Sequence, residues 1–401
     1  MTTEYPQKRW ICLILVILLA AFTMTAAAEE KDEIRNWKEA AMEAYQKEDY
    51  ETSFHLSEQA ANQGDADAQF MAAIHYLYGI GTGLSYEKAA EYFRMAAEQG
   101  DADAQQMLGD LYFYGSGVEQ SYEKATEYNR QAASQGNAQA LYNLGWMYDI
   151  GVGVEQDYEK AREYYLSAAD QGHATALTNL GWMYDHGNGV EQDKAKAREY
   201  YLLAVEKGDS TAMVNLGWMY ENGDGVPQSY EKAMEYYLMA ADLGDPDGQT
   251  NAGILYENGE GVPQSYETAA KYYQMAAEQG YARAQAFLGE LYAFGDGVEQ
   301  SDDKALELYR LSAEQGDSIG QWCMGKAYQF GIGVEISYEK AAEYYQLSAD
   351  QNDPDGLECL GYLYLEGLGV EQSRDRAIEL YQLAAELGSE EAQKQLAIYG
   401  Y

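Results

Sequence analysis

Apolar residues recur along the chain with helical spacing, in pairs of short segments that glycines separate. Within the stretch 137–172, Ala140, Leu144 and Tyr148 lie four residues apart, which places them on one face of a helix. Gly145 lies beside this face, where the missing side chain lets another helix come close. The pattern predicts a first helix and a second helix that bury apolar faces against each other. The face of the second helix consists of Ala161, Tyr164, Tyr165, Ala168 and Ala169.

Glycines divide the chain at a constant interval. A second glycine follows each of these dividing glycines two positions later. Glycine at the end of a helix supplies the left-handed backbone conformation that closes it. A fixed period of this length indicates stacked two-helix repeats, and therefore an all-α solenoid. The first glycine of each turn recurs every 36 residues, at Gly79, Gly115, Gly151, Gly187, Gly223, Gly259, Gly295, Gly331 and Gly367.

Each predicted helix begins at a residue whose side chain can accept a hydrogen bond from the first turn. His173 and Tyr281 are the poorer caps among the first helices. The other first helices are predicted to begin at Asp65, Asp101, Asn137, Asp209, Asp245, Asp317, Asp353 and Ser389. The second helices are predicted to begin at Ser85, Ser121, Asp157, Asp193, Ser229, Ser265, Ser301, Ser337 and Ser373.

The registers together form the pattern Ala-x3-Leu-Gly-x2-Tyr, Gly-x-Gly-Val and Lys-Ala-x2-Tyr-Tyr-x2-Ala-Ala-x2-Gly. This pattern resembles the Sel1-like repeat, a relative of the tetratricopeptide repeat with a longer glycine turn. Nine such repeats span residues 65–388, a tetratricopeptide-like helix pair precedes them at 29–64, and a capping helix follows at 389–401. The resemblance implies a right-handed superhelical solenoid of antiparallel helix pairs, with the first helices lining its concave side.

The start of the chain has the pattern of a secretory signal peptide. Lys8 and Arg9 precede an apolar run, and Ala26 and Ala28 supply the small residues of a cleavage site at the end of residues 1–28. The apolar run is shorter than the roughly 20 residues that a spanning helix needs. We therefore expect an exported protein, periplasmic or secreted, that is not inserted in a membrane after cleavage. An uncleaved N-terminal membrane anchor is the alternative.

The chain is strongly acidic. It has 67 Asp and Glu against 26 Lys and Arg, which gives a net charge of −41. Such a charge repels phosphate backbones, so the sequence argues against a nucleic-acid partner and favours cationic or neutral ones. A solvated surface of an exported protein would explain the same charge.

Two cysteines, Cys323 and Cys359, occupy the same register of neighbouring repeats, and whether they pair stays open.

No pattern of residues indicates catalysis, a metal site or a cofactor. The four histidines have no metal-ligand spacing, no Ser lies in Gly-x-Ser-x-Gly, and the Gly-x-Gly turns lack the Lys-Ser/Thr of a phosphate-binding loop. The stretch 185–188 could touch calcium, but the twelve-residue ligand pattern is absent. The sequence therefore predicts a protein that is not an enzyme, without metal or cofactor.

Four central repeats share polar and aromatic residues that their neighbours lack, at three registers of the first helix that we call the Asn, Trp and acid registers. At about 100° per residue, the Asn and Trp registers lie opposite the apolar face, with the acid at the edge. We call these residues the first-helix ladder. Its members are Asn143, Asn179, Asn215 and Asn251, then Trp146, Trp182 and Trp218, then Asp149, Asp185, Glu221 and Glu257.

The first-helix ladder predicts a peptide-binding groove. An Asn side chain offers both a donor and an acceptor, so it can pair with peptide backbone without reading the sequence of the peptide. Indole faces stack on apolar or cationic side chains, and the acids favour Lys or Arg. In the related tetratricopeptide proteins an Asn just before Leu-Gly grips peptide backbone, and Asn143-Leu144-Gly145 matches that placement. The alternative is that the Asn residues are mere surface polarity and the Trp residues pack against neighbouring helices.

The function predicted from the sequence is that of an interaction scaffold or adaptor. It binds an extended, basic segment of another protein in the concave groove. A structural or self-assembling solenoid is the main alternative. A weak β-lactam-binding hydrolase is a further one, which the resemblance suggests through cysteine-rich relatives whose cysteine pairs this chain lacks.

Overall fold

A computed structural model describes residues 29–399, which form 21 α-helices and no β-strand. The predicted signal peptide at 1–28 and the last two residues, Gly400 and Tyr401, lie outside the described residues. The chain divides into two compact units, of which the first ends at Gln171 and the second begins at Gly172. Within each unit the helices follow one another as packed pairs, which confirms the predicted all-α solenoid of two-helix repeats.

The first compact unit contains four helix pairs. Its opening pair turns at Glu48, a residue with a positive φ of 63°, and Asp49 caps the second helix of that pair. The helices are α1 (Glu29–Gln46), α2 (Tyr50–Asn62), α3 (Ala66–Tyr78), α4 (Tyr86–Glu98), α5 (Ala102–Tyr114), α6 (Tyr122–Ser134), α7 (Ala138–Ile150) and α8 (Tyr158–Ala169).

The second compact unit contains six helix pairs and a single last helix. The pairs are α9 (Ala174–His186) and α10 (Lys194–Glu206), α11 (Ser210–Asn222) and α12 (Tyr230–Asp242), α13 (Pro246–Asn258) and α14 (Tyr266–Glu278), α15 (Ala282–Phe294) and α16 (Asp302–Glu314), α17 (Ser318–Phe330) and α18 (Tyr338–Ala349), α19 (Pro354–Glu366) and α20 (Arg374–Glu386). The last helix is α21 (Glu390–Tyr399).

Side-chain caps start the helices where the sequence predicts them. Asn137 accepts from the Ala140 amide at 2.8 Å, and Asp157 accepts from the Lys160 amide at 3.1 Å. Tyr281 makes no side-chain cap bond, as expected of a poor cap, whereas His173 caps α9 at 3.3 Å, the same distance as the caps Ser85 and Ser121. The prediction of a poor cap is therefore confirmed for Tyr281, whereas His173 does cap its helix.

The glycine turn is held by backbone geometry and by one glutamine. Gly151 has a left-handed φ of 73°, as predicted for a helix end. The Gln156 side chain then donates to the Asp149 carbonyl at 2.7 Å, and the Asp157 amide donates to the Tyr148 carbonyl at 2.9 Å. These bonds satisfy carbonyl groups that the end of a helix leaves without a partner. The turn therefore fixes the end of the first helix, where the acid register lies.

Small residues and aromatic rings from both helices form the core of the repeats. The alanine equivalent to Ala161 is fully buried in all nine repeats. Ala140, Leu144 and Tyr148 are buried, as predicted. The prediction for the second helix was wrong in part, because Tyr164 and Ala169 are only half-buried. Tyr164 lies flat on Tyr148, with ring centroids 5.7 Å apart, so one face of its ring stays at the surface.

In the second compact unit the first helices are the closer-packed layer. Consecutive first helices from α11 to α19 contact one another directly, α11 with α13 and so on along the series. The second helices of that unit show no comparable contact with each other in the described part of the chain. The first helices from α11 to α19 therefore form the inner layer of the unit, and the ladder residues on α11 and α13 belong to that layer.

Candidate peptide-binding surface

The Asn register behaves differently in the two compact units. In the first unit, Asn143 is already engaged, because its Nδ2 donates to Asp110 Oδ1 at 2.9 Å and to Asn129 Oδ1 at 3.1 Å. Gln139 Nε2 also donates to Asn143 Oδ1 at 2.9 Å. This residue is therefore part of a polar network rather than an open contact for backbone.

In the second unit the three remaining Asn residues are open. Asn179, Asn215 and Asn251 are half-buried on α9, α11 and α13. Among residues 29–399, no side chain or backbone group forms a hydrogen bond with their amide groups. A half-buried amide without a partner loses hydrogen bonds that water or a ligand has to supply. These three side chains therefore have free donors and acceptors.

The Trp register becomes more exposed from the first unit to the second. Trp146 is half-buried and meets Phe113 edge to face, with ring centroids 5.5 Å apart. Trp182 and Trp218 have 41% and 48% of their surface exposed. Trp182 stacks on His186 at 4.4 Å between centroids. Packing against a neighbouring helix thus accounts for Trp146, whereas Trp182 and Trp218 present indole surface to solvent.

Three acids of the first-helix ladder accept a hydrogen bond from a buried tyrosine sixteen residues later. Tyr165 donates to Asp149 at 3.2 Å, Tyr237 to Glu221 at 2.5 Å and Tyr273 to Glu257 at 2.6 Å. The tyrosine rings are fully buried, so their hydroxyl groups need an acceptor. The acid register therefore has a structural role besides any contact with a ligand.

Burial affects the protonation of these groups. Desolvation raises the pKa of Asp149 and of Glu257 above the ordinary value for each acid, although the tyrosine hydrogen bond opposes the shift. Desolvation, and then the neighbouring carboxylates, raise the pKa of Tyr237 and of Tyr273 as well. The tyrosines therefore stay protonated and act as donors.

Asp185 is the exception in the acid register. Lys194 Nζ lies 2.9 Å from Asp185 Oδ1 and 2.6 Å from Asp224 Oδ2. The charge of Asp185 is thus neutralised within the protein by a lysine that bridges two consecutive repeats. A ligand cation at this point would have to compete with Lys194.

The buried tyrosines are the functional residues that sequence reasoning missed. The signal was present, because tyrosine fills this register in seven consecutive repeats from Tyr165 to Tyr381. In the two preceding repeats the register holds Phe93 and Asn129, and the acid register there holds the apolar Leu77 and Phe113. Each acid of the ladder therefore has a tyrosine sixteen residues later, whereas the last three tyrosines follow Ala293, Gln329 and Leu365 at the acid register.

No other chemistry is assembled in the described residues. They contain no group of three or more His, Cys, Asp or Glu that could hold a metal ion. Cys323 and Cys359 are free thiols, and burial raises the pKa of both, that of Cys359 to about 11. Between residues 29 and 399 no helix is long and apolar enough to cross a membrane.

Helix pairs closed by left-handed glycine turns define this protein as a tetratricopeptide-like α-solenoid. The chain belongs to the Sel1 repeat family, whose model matches ten segments: residues 44–65, 66–101, 102–137, 138–173, 174–209, 210–245, 246–281, 282–317, 318–353 and 360–389. The first of these segments lies in the part for which a tetratricopeptide-like pair is predicted. Sel1-repeat solenoids generally mediate protein–protein interactions.

Two solved structures are similar over most of this chain. One is a protective antigen of uropathogenic Escherichia coli strains that displays an SLR fold, with 32% identity, a TM-score of 0.67, and 91% of this chain and 79% of that chain covered. The other is a Sel1 repeat protein from Oxalobacter formigenes, with 30% identity, a TM-score of 0.51, and 77% and 89% covered. A search of curated proteins found no match.

Proposed function

We propose that this protein is an interaction scaffold that binds an extended, positively charged segment of another protein along its first helices. The observation that carries the proposal is the set of open amides at Asn179, Asn215 and Asn251, beside the exposed rings of Trp182 and Trp218. Open amides can satisfy the backbone of a peptide that has no secondary structure of its own.

The repeat spacing supports an extended ligand. Packed neighbouring helices lie about 8–10 Å apart, and an extended chain rises about 3.3 Å per residue. Each Asn would therefore meet about every third residue of a bound segment. Because the contacts are made to backbone, the affinity depends on the length of the segment more than on its sequence.

Charge and aromatic surface support a basic ligand. Glu221 and Glu257 each use one carboxylate oxygen for a tyrosine, which leaves the other oxygen to accept from a cationic side chain. A cation over an indole ring contributes about 0.5–2 kcal/mol. Trp182 and Trp218 can make that contact from the same face. Lysine and arginine are thus the side chains that this surface favours.

The proposal predicts that loss of two open amides weakens peptide binding. Tryptophan fluorescence of the protein is measured against a library of extended basic and neutral peptides. A basic peptide is expected to give a saturable shift, and Asn179→Ala with Asn215→Ala is expected to weaken it about tenfold or more. The matched control replaces two exposed asparagines of the same unit that lie outside the ladder, Asn222→Ala with Asn258→Ala, and should keep the affinity of the unaltered protein.

Two results would contradict the proposal. One is equal peptide affinity in the ladder variant and in the control. The other is a pair of variants, Trp182→Ala and Trp218→Ala, that bind as before but melt at a much lower temperature, because the indoles would then serve packing. Filaments or dimers that grow with concentration without any partner would favour the self-assembling alternative.

We also propose that the protein is exported after removal of residues 1–28. The basic start, short apolar run and Ala-x-Ala ending of this segment support it. The intact mass of protein recovered outside the cytoplasm is expected to correspond to a chain that starts at Glu29. A membrane-bound chain that keeps residues 1–28 would support the uncleaved anchor instead.

A further inference from the structure

A cavity of about 280 Å³ lies on the first helices of the first compact unit. Asp110 supplies its carboxylate, and Phe113, Tyr114, Tyr142 and Trp146 supply aromatic walls. A carboxylate among aromatic rings is the arrangement that attracts a cation, through direct charge attraction and through the negative ring faces.

The carboxylate of Asp110 has hydrogen-bond donors but no counter-charge. Gln106 donates to its Oδ2 at 2.5 Å, and Asn143 donates to its Oδ1 at 2.9 Å. No basic side chain of the described residues forms an ion pair with it. Burial raises the pKa of Asp110 to about 6, against an ordinary value of 3.8, although both hydrogen bonds oppose the shift. The negative charge is therefore held at a cost that a cation would remove.

In the second compact unit, the positions equivalent to this cavity include a lysine, so they show how a cation contacts the same arrangement. Five repeats after Asp110, the equivalent position is Glu290, and the position equivalent to Trp146 is Lys326. Lys326 Nζ lies 3.0 Å from both carboxylate oxygens of Glu290. It also lies 4.1 Å from the ring centroid of Trp322, the residue equivalent to Tyr142.

A second aromatic ring matches as well. Phe294, equivalent to Tyr114, has its ring centroid 5.4 Å from the same ammonium nitrogen. In the second unit the protein thus supplies a lysine ammonium to a carboxylate flanked by two aromatic rings. In the first unit the carboxylate and both aromatic positions are present, but Trp146 replaces the lysine.

We infer that the Asp110 cavity of the first compact unit binds a lysine side chain of a partner protein. The inference rests on the proposed function and names one side chain that the partner presents. Lysine suits the cavity better than arginine, because both oxygens of Asp110 already accept one amide hydrogen each. A compact ammonium needs a single acceptor, whereas a guanidinium binds a carboxylate best through both oxygens at once.

The test uses a probe that carries the lysine side chain without a peptide. The full chain is labelled with ¹⁵N-tryptophan, and the indole N–H signal of Trp146 is assigned with Trp146→Phe. N-acetyl-lysine methylamide is expected to shift that signal in a saturable way. N-acetyl-norleucine methylamide, which lacks only the ammonium group, is expected to bind about tenfold more weakly or not at all.

The charge of Asp110 is tested with two variants. Asp110→Asn keeps the size of the side chain and is expected to remove the preference for the lysine probe. Glu127→Gln removes one negative charge from an exposed position on α6 and should leave the preference unchanged. Circular dichroism of both variants checks that the helices persist.

The outcomes separate this inference from the proposed function. An unmoved Trp146 signal, or equal binding of the lysine probe by Asp110→Asn and the unaltered chain, would overturn the inference. Basic-peptide binding that still depends on Asn179 and Asn215 would leave the proposed function standing in that case. If the lysine probe binds as expected but no extended peptide binds, the result supports the lysine site in the cavity and contradicts the proposed function.

Discussion

Replacing Lys326 with Met is expected to lower the free energy of unfolding of the second compact unit by about 3 kcal/mol. The Lys326 and Glu290 side chains have only 14% and 21% of their surface exposed. Glu290 Oε1 accepts from Lys326 at 3.0 Å and from Tyr309 at 2.8 Å. Without Lys326 a partly buried carboxylate loses the cation that balances it. Urea unfolding followed by circular dichroism measures the change.

Two further variants separate the ion pair from the loss of a long side chain. Lys326→Met combined with Glu290→Gln removes both charges and keeps an acceptor for Tyr309, so it should recover most of the stability. Lys271→Met breaks the exposed pair with Glu267, in which the Lys271 and Glu267 side chains are 67% and 72% exposed, and should leave the stability almost unchanged. If Lys326→Met costs no more than Lys271→Met, the buried pair does not stabilise the fold.

The repeat architecture could be predicted from the sequence because each of its rules is local. A cap needs one Ser, Asp or Asn, and a turn needs glycine at one backbone position. Asn352 shows how far this reasoning extends, because it is the one residue in place of glycine at the end of a repeat and it has the left-handed φ of 60° that such a turn needs.

Whether a ladder residue is open or already hydrogen-bonded within the protein could not be predicted, because this depends on side chains from other helices. Asn143 and Asn215 have the same neighbours in sequence, Leu-Gly-Trp. Asn143 is engaged because Asn129 and Asp110 lie on neighbouring helices and face it. In the next repeats a tyrosine replaces Asn129, and its hydroxyl group goes to the acid register instead. The hydrogen bonds of each Asn therefore depend on the residues at three registers, which lie on different helices.

The ion pair of Glu290 and Lys326 shows the same limit. Both residues occupy the Trp register, 36 positions apart, in consecutive repeats. Opposite charges in consecutive repeats interrupt the repeated pattern. The sequence does not show that the two side chains form an ion pair, whereas their contact in the structure does. The open cavity of Asp110 becomes recognisable by comparison with that contact, since the carboxylate and the aromatic positions recur and the lysine does not.

Replacing Gly217 with Ala is expected to destabilise the second compact unit by about 2 kcal/mol, although alanine favours a helix by about 1 kcal/mol over glycine. An added Cβ at Gly217 would lie 2.4 Å from the ring of Tyr237, which is fully buried. The ring would have to shift, and the hydrogen bond from its hydroxyl group to Glu221 would be lost with it.

Gly361→Ala is the matched control, because it has the same register but more room. Its added Cβ would lie 3.1 Å from the ring of Tyr381, so the gain in helix propensity should offset most of the strain. Hydrogen exchange of α11 and α12 is expected to accelerate in Gly217→Ala, while α19 and α20 should stay protected in Gly361→Ala. Equal stability of the two variants would mean that the tyrosine ring adapts to the added methyl group. The close contact between glycine and tyrosine would then not determine where the tyrosine hydroxyl group meets the acid register.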